Sequence, residues 1–301
     1  RSSNAYRIFT LIVALVMNTL DRFIRKGNGK TMLNLGCGKT FHKDWVNVDF
    51  ISSSPEVISC DLTQGIPFSS ETFDVVYHSH VLEHFTALQG DFFIKECFRV
   101  LKPGGILRVA VPDLETIVRN YLQFLEQGMV NKPGAHEKYE WTMLELFDQM
   151  TRNVPGGNYL DFLLEASEEQ KKFSQSRLGK ELEAIQKIQH VTLLDRLRRK
   201  SIGQLFQIAR IKMIKSLLFL LGDKRMRNAF DIGLFRLSGE IHQCMYDQFS
   251  LSKLLQKNHF EEIKKVTAFQ SDIVGFASFN LDVFEGVIRK PDSLFIEGRK
   301  K

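Results

Sequence analysis

Apolar positions along the chain change period more than once. From Thr31 onward, short apolar runs separated by turn residues predict strands over Thr31–Leu35, Trp45–Asp49, Val57–Cys60, Phe73–His78 and Ile106–Val111. The last of these is apolar but for Arg108, as a strand covered on both faces should be. Ahead of it, Phe93, Cys97, Val100 and Leu101 recur at helical spacing, and Lys102-Pro103-Gly104-Gly105 stops that helix. From Leu114 to about Glu240 the period is helical, broken at Lys132-Pro133-Gly134 and Val154-Pro155-Gly156-Gly157. A helix near Leu251–Asn258 then leads into strands over Lys264–Phe269 and Ser293–Gly298. This alternation predicts an α/β fold, a doubly wound and mostly parallel seven-stranded sheet with a large helical insertion after the fifth strand. The expected plan is an N-terminal apolar helix over 1–29, a first core part over 30–114, the insertion over 115–240 and a second core part over 241–301.

Composition narrows the class. The 301 residues are 44% hydrophobic and 25% charged, enough to bury an ordinary core. The four cysteines, Cys37, Cys60, Cys97 and Cys244, form no CxxC pair, which argues against a zinc site or a disulfide framework and suits a reducing cytoplasm. Net charge is +6 but uneven: Gln170–Phe230 holds 15 Lys and Arg against 4 Asp and Glu. That segment is read either as a solvated helical surface or as a face for anionic material such as lipid headgroups. Within it, Ile202–Leu221 mixes Leu205, Phe206, Ile208, Ile211, Ile214, Leu217 and Leu218 with Arg210, Lys212 and Lys215. Such a basic amphipathic helix suits peripheral membrane contact or packing on its own domain. The apolar stretch Ile8–Leu20 falls short of the roughly 20 residues of a spanning helix, and no cleavage site follows it. The expected location is cytoplasmic, including the inner face of the membrane.

Candidate chemistry begins at Leu33-Asn34-Leu35-Gly36-Cys37-Gly38. A strand ending in Gly-x-Gly sets side-chain-free backbone where a ligand lies at the carboxyl edge of the sheet. The second strand ends in Asp49, an acid that can accept hydrogen bonds from both hydroxyls of an adenosine ribose. A dinucleotide would need a third glycine and a full helix to receive its pyrophosphate. Here Lys39, Thr40 and Phe41 follow Gly38, and only the six residues Lys39 to Asp44 precede the next strand. The spacing favours a nucleoside–sulfonium cofactor.

These segments, with Cys60-Asp61-Leu62, Phe73–His84, Arg99–Gly105, Val111–Leu114 and Lys290–Glu297, resemble the class I S-adenosylmethionine-dependent methyltransferases grouped as type 11, especially those of bacterial polysaccharide clusters. The resemblance implies a Rossmann-like core and S-adenosyl-L-methionine as cofactor. It places Gly36, Cys37 and Gly38 against the methionine portion, with Asn34 just ahead of them where the family often has an acid. It gives Asp49 to the ribose, Phe50 to the adenine face, Asp61 and Leu62 to the adenine ring and amino group, and His78 and Ser79 to the floor beside the sulfonium. His80 and Asp113 are the candidate general bases. The expected acceptor is a small molecule or glycan, with a saccharide or glycolipid of cell-envelope polysaccharide synthesis foremost. A small metabolite, a lipid quinone and a non-catalytic cofactor-binding module are the alternatives; no nucleic-acid surface is evident. His80-Val81-Leu82-Glu83-His84 matches an H-x-x-E-H zinc pattern, but at a strand-to-helix junction it is read as structural, and no metal is expected. The insertion is expected to wall the acceptor pocket, which His242 and Tyr246 could re-enter.

Overall fold

The computed structural model describes residues 29–52, 54–179 and 202–301, together with 24, 26 and 27. The apolar stretch Ile8–Leu20 lies outside the described residues. Strands β1 (Lys30–Leu35), β2 (Val46–Asp49), β3 (Val57–Ser59), β4 (Phe73–Ser79), β5 (Leu101–Pro112), β6 (Phe260–Val266) and β7 (Ser293–Lys300) form one sheet in the order β3-β2-β1-β4-β5-β7-β6. The first five pair in parallel, and β7 runs antiparallel to both β5 and β6. Chain order reverses between β1 and β4, so the ligand crevice of such a sheet opens at their carboxyl ends.

Helix α1 (Ala87–Val100) starts in a capping box in which the Thr86 hydroxyl accepts from the Gln89 amide and the Gln89 side chain accepts from the Thr86 amide. Its Phe93, Ile94 and Cys97 pack with Leu33, Leu35 and Val76 of the sheet and with Leu251 and Leu255 of α8 (Gln248–Lys257). The opposite face is covered by a loop segment. Ile273, Phe276, Phe279 and Leu281 close over Met32, Trp45, Val75, Tyr77 and Ile106. Trp45 meets Phe279 edge-on at 5.3 Å and Tyr77 at 6.1 Å between ring centroids. Arg108 is fully buried on this side. Its guanidinium donates to Asp282 at 2.8 Å, to Glu297 at 2.7 Å and to the carbonyls of Gln270 and Thr267 at 3.0 Å.

The sixth strand is displaced from its expected Lys264–Phe269 to Phe260–Val266. The cause is His259, whose φ of 66° turns the chain directly at the end of α8, so that Phe260 is buried and paired opposite Lys300. The fifth strand likewise starts early, at Leu101, because Leu101 already pairs with Phe73 before the register shifts through the Gly104 turn.

The chain divides into two compact units, one ending at Gln123 and resuming at His242, the other spanning Phe124–Ile241. The second unit continues from α2 (Leu114–Met129) into α3 (Ala135–Met143), α4 (Gly157–Glu165), α5 (Glu168–Leu178), α6 (Ile202–Leu221) and α7 (Lys224–Arg236). Trp141, Tyr159, Leu163 and Leu178 form its core, beside a buried Arg177–Glu145 pair at 2.9 Å.

Candidate active site

The loop after β1 is built by a short chain of hydrogen bonds. The Gly38 amide donates to Asp49 Oδ2 at 2.7 Å, and Asp49 Oδ1 accepts from the Ile51 amide at 3.1 Å. Each carboxylate oxygen thus carries one backbone bond and has a lone pair left for a further donor. Asn34 is 1% exposed and lies opposite Asn47 on the neighbouring strand. Its Nδ2 donates to the Thr40 carbonyl at 3.1 Å and to Asn47 Oδ1 at 3.2 Å. Asn47 in turn donates to the His42 and Trp45 carbonyls. An acid at position 34 would set a carboxylate against two acceptors, so this loop needs the amide. Asn34 thus anchors the turn that Gly36 and Gly38 make.

The two glycines differ. Both lie at positive φ, 62° for Gly36 and 55° for Gly38. A Cβ built on Gly36 would come 2.2 Å from Val81 Cγ2, whereas one on Gly38 meets nothing within 4 Å. Gly36 therefore serves packing, and Gly38 keeps open the space above the loop. Cys37 between them is buried, its thiol pushed up to about 12 by burial and then by the Asp49 charge. Along the rim Phe50 and Ile51 are exposed, as is Asp61. Asp61 Oδ1 accepts from the Thr63 amide at 3.0 Å and the Thr63 hydroxyl at 2.7 Å, fixing the turn after β3.

Two expected contacts change character. Leu62 is turned into the core, so it can offer an adenine only its backbone. His78 and Ser79 alternate across β4. The His78 ring is fully buried against Phe93 at 5.0 Å, neither nitrogen having a hydrogen-bond partner among the described residues. Burial brings its pKa down to about 3.

At the end of β4 the chain bends at His80, whose φ is 54° and whose amide donates to the Ala110 carbonyl at 2.9 Å. His80 Nε2 lies 2.7 Å from Ser293 Oγ, and Nδ1 lies 3.3 Å from Glu83 Oε1. A carboxylate beside Nδ1 favours a proton on that nitrogen, leaving Nε2 to accept from Ser293. Burial and, after it, the Lys290 charge hold this imidazole neutral, well below the usual histidine range. Asp113 is occupied otherwise: it sits at the head of α2 and accepts from the Thr116 hydroxyl at 2.8 Å and the Thr116 amide at 3.4 Å. Its amide donates to the Asp292 carbonyl, and the next amide donates to the Tyr246 carbonyl, drawing the start of β7 and the return segment at Tyr246 to the tip of β5. Sequence reasoning did not find Ser293 as a partner of His80. They are 213 positions apart and meet only because β7 runs antiparallel to β5.

Residues 33–109 match the family model described as a methyltransferase domain. The chain is 46% identical over 80 residues to the mouse mitochondrial ubiquinone biosynthesis O-methyltransferase, covering 26% of this chain and 21% of that one. It is 26% identical over 110 residues to a probable S-adenosylmethionine-dependent methyltransferase of Mycolicibacterium smegmatis, covering 31% and 42%. It thus spans under half the length of the curated relatives it matches. A solved S-adenosylmethionine-dependent methyltransferase of Thermotoga maritima aligns over 99% of this chain and 96% of its own, at 11% identity and a TM-score of 0.36. Residues 33–109 are a class I methyltransferase domain, for which S-adenosylmethionine is the cofactor.

Proposed function

We propose that this protein transfers the methyl group of S-adenosylmethionine to a hydroxyl of a lipid-linked saccharide. The observation that carries the reaction is the Asp49–Gly38 clamp. It presents a carboxylate with acceptor capacity beside a glycine whose missing Cβ leaves open space, the form a ribose and an amino-acid tail require. Asp49 would hold the ribose, Gly38 the methionine portion, and Phe50 the adenine face. The cofactor brings a methyl already activated on sulfonium, so the protein's tasks are alignment, exclusion of water and removal of one proton. For the last, half-buried Ser293 can take the acceptor's proton while passing its own to His80 Nε2, with Glu83 beside Nδ1 to stabilise the charge that appears there.

The lipid-linked acceptor is supported by α6. Phe206, Met213, Leu217 and Leu220 recur on one side of this helix and are 75%, 59%, 49% and 75% exposed, with Arg210, Lys212, Lys224 and Arg225 exposed on it and on α7. An uncovered apolar stripe beside cationic side chains suits an anionic membrane surface. Among the described residues no helix is long and apolar enough to cross a membrane, so the contact would be peripheral. In this reading the unit Phe124–Ile241 serves acceptor recognition.

The test is label transfer from methyl-labelled S-adenosylmethionine to lipid-linked saccharides and to a water-soluble metabolite pool, with Asp49→Ala as control. Label in the lipid fraction, lost in Asp49→Ala, is the expected result. Label only in soluble metabolites would overturn the acceptor, and S-adenosylhomocysteine binding without any transfer would reduce the chain to a cofactor-binding module. Asp49→Ala should weaken S-adenosylhomocysteine binding by about 1.5–3 kcal/mol, roughly 10- to 150-fold by calorimetry.

A further inference from the structure

The turn after β4 and the first residues after the helical unit meet in a cluster from which the proposed methyl transfer draws only Glu83, leaving His84 and His242 without a part in it. Leu82–His84 form one turn of 3-10 helix at the exit of β4. The carbonyl of Glu83 accepts from the Gln243 amide at 2.7 Å and the Cys244 amide at 3.1 Å, so the return segment is laced to this turn by its backbone. That lacing brings His242 beside His84, their rings 4.9 Å apart and nearly perpendicular. One oxygen of Glu83, one nitrogen of His84 and one nitrogen of His242 all lie within 4.8 Å of one another. Glu83 is fully buried, His242 is 6% exposed and His84 is intermediate.

We infer that Glu83, His84 and His242 bind a divalent first-row transition metal ion. The donor set is chemically apt: two imidazoles and a carboxylate hold Zn²⁺ in hydrolytic enzymes and Fe²⁺ in facial-triad sites. Metal–ligand bonds of about 2.0–2.2 Å put neighbouring donors roughly 3–4 Å apart, so a small side-chain movement closes the cluster on an ion. His80 at 3.3 Å from Glu83 Oε1 supplies the kind of outer contact that orients ligating carboxylates. The H-x-x-E-H spacing misleads here. His80 turns to Ser293, and the second imidazole comes from His242, on a segment that only the fold brings near. The Lys290 charge felt at His80 opposes a cation, so the ion must bind through full ligation rather than loose attraction. Bound there, it ties the exit of β4 to the point where the chain re-enters the core, one step from the proposed His80–Ser293 relay. The metal-binding claim rests on the geometry alone and does not need the methyltransferase reading.

The test uses untagged, full-length protein stripped with EDTA and desalted. Zn²⁺ is titrated by calorimetry, Co²⁺ by visible absorption, and S-adenosylhomocysteine binding is measured on the same samples. Expected are one Zn²⁺ per chain at micromolar Kd or tighter, Co²⁺ d–d bands, and at least 30-fold weaker Zn²⁺ binding in both His242→Ala and His84→Ala. His242→Gln, which keeps size and polarity, should show the same loss with an unchanged circular dichroism spectrum. No Zn²⁺ heat and no Co²⁺ bands, or binding that survives in the folded His242→Gln variant, would overturn the site. Loss of S-adenosylhomocysteine binding with metal binding intact would instead count against the cofactor reading and leave the metal site standing.

Discussion

Gly36 and Gly38 look interchangeable in a Gly-x-Gly motif, yet their surroundings divide the work between fold and ligand. Alanine at either must hold a positive φ, a cost on the order of 1 kcal/mol. At position 36 the new methyl also collides with Val81, which sits in the main core, and such overpacking adds about 1–3 kcal/mol. At position 38 the methyl enters open space that the proposed ligand would fill. Gly36→Ala should therefore lower the unfolding midpoint in urea by the larger amount, while Gly38→Ala should lower it only by the backbone cost of about 1 kcal/mol and weaken S-adenosylhomocysteine binding at least tenfold. Equal effects of the two substitutions on stability would count against this division. Asn34 carries a related lesson. The resemblance leads one to expect an acid at this position, and the surroundings of Asn34 account for the amide: both of its side-chain bonds are donations to oxygen, which no ionised carboxylate could make.

At the level of elements, the first four strands were legible to within a residue or so from their short apolar runs, whereas the fifth begins five residues ahead of its apolar run, at Leu101. The strand after α8 was not legible in this way, since Phe260-Glu261-Glu262-Ile263-Lys264-Lys265-Val266 is a half-exposed strand whose start depends on the left-handed turn at His259. The Gly-x-Gly loop after β1 was readable from spacing, whereas the partners of His80 were not. Ser293 and His242 reach the tip of β4 through an antiparallel last strand and a distant return segment, which no local pattern encodes. Arg108 is the sharpest case. In sequence it interrupts an apolar strand; in the fold its guanidinium satisfies Asp282 and Glu297, both nearly inaccessible, and lies 4.5 Å over the Phe276 ring. Tyr77 completes the cluster with a hydroxyl donated to Asp282 at 2.5 Å. Two charge pairs in one buried site leave two uncompensated carboxylates when the cation is removed, at a cost of about 3–5 kcal/mol. Arg108→Ala should lose stability on that scale in urea unfolding, and Arg108→Lys should recover only part of it, because one ammonium cannot reach both acids and two carbonyls. Full recovery by lysine would show that charge alone matters there.

For the whole molecule, the pH dependence of folding follows from a histidine locked away from water. His78 is neutral in the folded state, with a pKa of about 3, against about 6.5 in an unfolded chain. Below pH 6.5 the unfolded chain takes up a proton that the folded chain refuses. Stability is therefore complete above that pH and falls as the pH drops toward 3. Between pH 7 and pH 5 this one group should remove about 2 kcal/mol. His80, also held below its usual range, adds a slope of the same sign. The carboxylates held low by their partners, such as Asp74 beside Lys102 and Glu96 beside Arg99, also favour the folded state at higher pH, but act below the carboxylate range and cannot account for loss at pH 5 to 6.5. The two units supply their own reporters: of the two tryptophans, Trp45 is buried in the sheet-bearing unit and Trp141 in the helical one. In a Trp141→Phe background, Trp45 fluorescence follows unfolding of the unit that contains His78. Urea unfolding there should show a loss of stability from pH 7 to pH 5 that His78→Leu reduces by about 2 kcal/mol, while raising or preserving stability at pH 7 by removing two buried nitrogens that have no hydrogen-bond partner among the described residues. Parallel pH profiles for the parent and His78→Leu would place the acid sensitivity elsewhere, and would mean that water reaches the His78 ring.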